Sequence, residues 1–127
     1  MTGLRGKIAA FAAAALLPLL AAADRPEMLR RTSGGLWEIS GNGGDRRLCV
    51  ANPVVLAQYE HRGKPCTRVV IRDTDALTEI HYTCPGGGFG RSTMTLVTPR
   101  SLRIETQGIS NQAPFHYVLQ ARRVGDC

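Results

Sequence analysis

From Gly35 to the end of the chain, short runs of alternating apolar and polar residues are separated by glycine, proline, asparagine and aspartate. A period of two sends successive side chains to opposite faces of extended backbone. A chain built from such runs must lay its apolar faces on one shared core, so this pattern restricts the fold to sheets that curl or stack. "LWEIS" (36–40) and "RRLCV" (46–50) flank a glycine-rich "GNGGD" and read as a first hairpin. "CTRVVIRD", with Val69 and Ile71 on one face, turns at "DTDA" into "LTEIHYTC" (77–84), where Ile80 and Tyr82 oppose Glu79 and His81. "RSTMTLVT" (91–98), "SLRIETQGI" after the turn at Pro99-Arg100, and "PFHYVLQARR" after "SNQA" complete the series.

One segment departs from this rhythm. In "NPVVLAQYE", Asn52 suits a helix cap and Pro53 the first helical position, where a missing N–H costs nothing, so a helix of about two turns is expected over Pro53–Glu60. The expected fold is therefore mainly β: a curved antiparallel meander of about seven strands, closed or half open like a partial barrel, with one short helix. There is no βαβ alternation and hence no dinucleotide-binding architecture.

The N-terminal residues carry a different signal. Arg5 and Lys7 precede an uncharged stretch from Ile8 to Leu20 that ends in small residues, the layout of a secretory leader. The pattern around Ala21 and Ala23 places cleavage after Ala23, so residues 1–23 are expected to be removed and 24–34 to form an irregular lead-in to one β-rich domain, 35–127. The apolar run is shorter than the about 20 residues a spanning helix needs. No membrane span is expected after cleavage, and the expected location is the periplasm or the medium.

Losing Arg5 and Lys7 lowers the 16 cationic residues to 14 against 10 acidic, and the net charge from +6 to +4. The arginine doublets 30–31, 46–47 and 122–123 are scattered along the chain, without the aromatic or zinc-binding motifs of nucleic-acid readers. A nucleic-acid partner is not expected.

The run "CPGGGFGRS" (84–92) is superficially similar to a phosphate loop, but it is one residue short before Gly90 and has Arg91 in place of the lysine. It also precedes a strand-like run, whereas a phosphate loop must open a helix whose amides converge on the anion. The glycines are expected to supply positive-φ turn positions.

Cys49, Cys66, Cys84 and Cys127 lie at intervals without a C-x-x-C knuckle, and an even count in an exported chain points to two disulfides over a metal site. His81 and Cys84 cannot converge on one ion from a strand. His61, His81 and His116 read as surface or half-buried residues, and Asp73 to Asp75 as a polar turn. Glu79 and Glu105 could form an acid and base pair only if a cleft joined them. Trp37 reads as a core anchor. No catalytic, metal or cofactor residues are assigned.

With "GLWE" at Gly35 to Glu38, four spaced cysteines and the close "ARRVGDC", the chain resembles the bacterial family catalogued as domain of unknown function 3617. The resemblance implies a small exported, disulfide-bonded protein and transfers no activity. Three cysteine pairings are possible. The reading adopted ties the ends of the helical excursion by Cys49–Cys66 and the chain end to a middle strand by Cys84–Cys127.

The expected function is non-enzymatic binding in the envelope, of a small apolar ligand or of another protein. The alternative is an inhibitor of a cell-wall-degrading enzyme that presents the loop Pro85, Gly86, Gly87, Gly88, Phe89, Gly90 and Arg91 to a cleft. A hydrolase with an unrecognised site is third. Spare space among Ile80, Tyr82, Leu96, Leu102, Phe115 and Tyr117 would favour an enclosed ligand; a filled core with a projecting glycine loop would favour inhibition.

Overall fold

The structure is a computed structural model that describes residues 25–127, together with Gly3. Apart from Gly3, the segment expected to be a leader, and its expected cleavage site, lie outside the described residues.

Seven strands form one antiparallel sheet: β1 (Gly35–Ser40), β2 (Arg46–Val50), β3 (Thr67–Asp73), β4 (Leu77–Thr83), β5 (Phe89–Thr98), β6 (Ser101–Ser110) and β7 (Ala113–Gly125). Their spatial order is β2-β1-β7-β6-β5-β4-β3. The expected mainly-β, half-open architecture is correct. Strands β3 to β7 run as a meander, whereas the β1–β2 hairpin docks against β7, leaving β2 and β3 as two open edges. The sheet does not close.

One face of the sheet is buried. Trp37, Ile39, Ile80, Met94, Leu102, Ile104 and Leu119 alternate with exposed or half-exposed neighbours and are at most 1% exposed. What covers them is the crossover from β2 to β3, which carries a 3₁₀ helix, Pro53–His61, across β5 and β6. Asn52 Oδ1 accepts from the Val54 N–H at 3.1 Å and Pro53 opens the helix, as the sequence indicates. The helix is 3₁₀ and kinks at Gln58, whose buried amide donates to the carbonyls of His61 and Lys64 at 3.2 and 2.9 Å. Those bonds tie the kink to the segment that leaves the helix.

Polar ties fix the helix to the inner face. The Ser92 hydroxyl donates to the Ala57 carbonyl and is bonded to the Thr106 hydroxyl at 2.8 Å. Tyr117 donates to Glu60 Oε2 at 2.8 Å, and Arg68 donates to Gln58 Oε1 at 2.7 Å. The lead-in is anchored in the core: its 3₁₀ turn, Glu27–Arg31, sinks Met28 and Leu29 to 0% exposure. Its first amide donates to Asp73 Oδ2 at 2.8 Å, so the "DTD" turn also holds the start of the domain.

The cysteine pairing corrects the sequence reading. The bridges are Cys49–Cys127 and Cys66–Cys84, with no free cysteine. β1 lies between β2 and β7, and Leu36 is paired with Cys49 on one side and Gly125 on the other, which brings the chain end within reach of Cys49. In the β3–β4 hairpin, Thr67 faces Thr83, so Cys66 and Cys84 are directly opposed at its open end, Cα atoms 4.1 Å apart. The proposed Cys49–Cys66 link would have to join opposite edges of the sheet. Two disulfides fit an oxidising, extracytoplasmic environment. Among the described residues no helix is long and apolar enough to cross a membrane.

Candidate functional site

The enclosed cavity considered from sequence is filled. Ile80 and Leu102 are wholly buried beneath the helix, and Tyr82, at 2% exposure, turns its ring inward over Gly90. A Cβ on Gly90 would lie 2.5 Å from the Tyr82 hydroxyl, so glycine is required there by packing. Of the six residues expected to line it, Tyr82 and Phe115 border a pocket that opens outward, and Ile80 borders a separate one of about 270 Å³ beside Pro26 and Val54.

This outer groove, about 750 Å³, crosses the ends of β4 to β7 on the face the helix does not cover. The register explains its composition. Thr83, Phe89, Ile109 and Pro114 form one outward row, and His81, Arg91, Gln107 and His116 the next. Between the two rows lies Tyr82–Gly90–Gly108–Phe115, whose side chains, where present, point inward. Backbone therefore floors the groove. Gly108 is required as well, because a Cβ there would collide with the Phe89 carbonyl where β5 and β6 approach each other. Phe89 is 49% exposed, a large apolar side chain held out on a strand.

The polar row is balanced by carboxylates in the row beyond it. His81 Nε2 lies 3.0 Å from Glu79 Oε1, and Arg91 Nε lies 3.9 Å from the same oxygen. Gln107, with its amide oxygen turned toward Arg91, accepts from Nε at 3.2 Å. Across the sheet His116 Nε2 is 3.2 Å from Glu105 Oε1, and Arg103 Nη1 is 3.5 Å from Oε2. The His116 hydrogen bond, with help from Arg103, holds the Glu105 carboxyl below the usual carboxylate range. A general acid needs the opposite shift. Glu79 and Glu105 share one outward row with Thr93 between them, each occupied by its own cations.

The candidate loop Pro85–Arg91 divides in two. Pro85 to Gly88 form the turn, closed by the Cys84 N–H donating to the Gly88 carbonyl at 2.7 Å, with Gly86 and Gly87 at φ 90° and 100°. Phe89, Gly90 and Arg91 already belong to β5. The glycines turn the chain, as expected, and the Cys66–Cys84 bridge fastens the base of the turn.

Trp37 is a core anchor at 0% exposure whose Nε1 donates to the Ser33 carbonyl at 3.1 Å. His81 and His116 are surface residues, but His61 is not: it is 2% exposed beneath the glycine turn, with Nδ1 2.9 Å from the Tyr82 hydroxyl. Burial, reinforced by the Lys64 charge and opposed by Glu60 and the Ile109 backbone, lowers its pKa below the ordinary histidine value. Burial likewise raises the Tyr82 phenol to about 12.

Sequence reasoning missed the far wall of the groove, Ile109, Pro114 and His116. Their outward positions are readable from alternation, but not that β6 and β7 lie beside Phe89.

The fold and groove define an open, disulfide-stapled antiparallel sheet with its interior filled by a crossing helix and an apolar groove on its outer face. No family model, curated protein or solved structure matches the chain. The resemblance noted from the sequence thus rests on GLWE, the four spaced cysteines and the ARRVGDC close.

Proposed function

We propose that this is an exported, non-enzymatic binding protein whose outer groove takes a small apolar ligand or an apolar side chain of an envelope partner. The observation that carries the reading is the outward row Phe89, Ile109 and Pro114 beside a backbone floor. Groups of this kind, apolar with a few fixed polar neighbours, characterise binding sites. The neighbouring row His81, Arg91, Gln107 and His116 supplies hydrogen-bonding groups at the groove's edge, and Glu79 and Glu105 in the row beyond it offset the charges of Arg91 and Arg103. The filled interior argues against an enclosed ligand.

A second reading, inhibition of a cell-wall-degrading enzyme, draws support from the same filled core and from the exposed turn Pro85–Gly87 fastened at its base by Cys66–Cys84. Fluorescence titration with the apolar probe N-phenyl-1-naphthylamine tests the first reading. Saturable binding to the wild type, weakened about tenfold in Phe89→Ser, is expected from the loss of about 1.5 kcal/mol of aromatic burial. Unsaturable binding, or an unaffected Phe89→Ser variant, would refute it. Inhibition of a muramidase, lost on replacing Pro85–Gly87, would favour the second reading instead.

A further inference from the structure

Behind the glycine turn, on the other side of Ile109, lies a second pocket of about 590 Å³. Three elements meet there: the end of the helix with His61 and Lys64, the turn Pro85–Gly88, and the β6–β7 tip with Asn111 and Gln112. It differs in kind from the outer groove. Lys64 is the one formally charged residue on its wall, and among the described residues Lys64 makes no ion pair.

His61 Nε2 is the one buried side-chain polar atom without a hydrogen-bond partner among the described residues; the Ile109 backbone lies close enough to act on the ring but meets no hydrogen-bond geometry with it. Leaving such a group unpaired is costly, and orphans of this kind mark a missing partner. The nitrogen lies beneath Gly88, where a Cβ would stand 2.5 Å away, so residue 88 must be glycine for the ring to be covered by backbone alone. In the tautomer in which Tyr82 donates its O–H to Nδ1, the neutral ring carries its own proton on Nε2 and presents a donor toward the turn. The raised pKa of the Tyr82 phenol keeps that hydroxyl proton in place.

The β6–β7 tip is unusual in its own way. Ser110 pairs with Ala113, and both intervening residues are left-handed, Asn111 at φ 50° and Gln112 at φ 65°. A two-residue hairpin of this kind favours glycine second, so a glutamine there is strained. Its side chain stands on the pocket wall.

We propose that this pocket is a carboxylate-binding site. The ligand carboxylate would pair with the Lys64 ammonium at the mouth and accept from His61 Nε2–H as the Gly86–Gly88 segment lifts, with Asn111 and Gln112 supplying further amide donors. A single cation beside a neutral imidazole matches a monoanion better than a doubly charged phosphate, and Lys64 opposes a metal cation. The carboxylate can belong to a free organic acid or to a peptide C-terminus.

The test is an NMR titration of the full domain with acetate, and with one tripeptide bearing a free or an amidated C-terminus. Saturable shifts of the Gly86–Gly88 amides and of the His61 ring nitrogens are expected with acetate and with the free-terminus peptide. Lys64→Ala, an exposed substitution that leaves the fold intact, should weaken binding by about tenfold or more, as expected for one charge-assisted hydrogen bond. Gln112→Gly should relieve the turn yet also weaken binding. A tighter peptide would assign a chain terminus, and equal affinities a free acid. The proposal is overturned if neither ligand saturates, as when an ordered water alone satisfies Nε2, if the amidated peptide binds equally well, or if Lys64→Ala changes nothing.

Discussion

The two faces of the sheet are built from the same strands, yet they do opposite work. Along β4, Thr78, Ile80 and Tyr82 point inward and are at most 2% exposed, while Glu79 and His81 between them face solvent. The inner face is stitched shut by the crossing helix and packed around Trp37, Ile104 and Leu119. The outer face has no covering layer among the described residues, and there the chain holds out Phe89 beside a glycine floor. Stability is therefore concentrated on one set of alternate residues, leaving the other free to carry sites.

The largest expected effects come from the staples that hold the covered face. Replacing Cys49 and Cys127 together by serine should cost about 4.5 kcal/mol, and Cys66 with Cys84 about 3 kcal/mol, because the longer loop restricts the unfolded chain more. Urea denaturation of the two double variants checks the order. Equal losses would show that loop entropy does not govern these bridges.

Next comes the packing contrast itself. Leu102→Ala, at 0% exposure, should destabilise by about 2–5 kcal/mol, whereas Thr93→Ala on the outward row should change stability by less than about 0.5 kcal/mol. Comparable losses would break the division of labour between the faces.

The smallest effect is in pH dependence, where two histidine environments act differently. His61 has a lowered folded-state pKa, so its contribution to stability is complete above its unfolded value near 6.5 and is lost as pH falls from there toward the depressed value. Glu105, lowered by its His116 hydrogen bond on the outer face, contributes only above its own unfolded value near 4.5 and loses that contribution at still lower pH. Stability measured from pH 8 to 5 should therefore slope downward in the wild type and flatten in His61→Gln. A slope that persists in that variant would place its origin elsewhere.

Much of this was legible in the sequence because alternation declares both strand and face. The inward set Ile80, Tyr82, Met94, Leu102 and Ile104 follows from period two alone, and Asn52-Pro53 declares where the helix begins. Strand order is not local information. Nothing near Cys127 says that β7 lies beside β1, so its bond to Cys49 could not be read, and neither could the groove that depends on β5, β6 and β7 being neighbours. Cys66–Cys84 was within reach, since a hairpin turning at "DTDA" sets those two residues opposite each other. His61 was hidden for a third reason: a histidine at a helix end looks solvated until the glycine turn is known to fold over it.

The most direct test of the division between the faces is to map where an apolar ligand sits, using NMR shifts induced by N-phenyl-1-naphthylamine in the intact domain. Shifts centred on Phe89, Ile109 and His116 are expected, with the inner methyl groups unmoved. Shifts centred on Ile80, Leu102 and Leu119 would contradict that division, because the ligand would then lie beneath the helix.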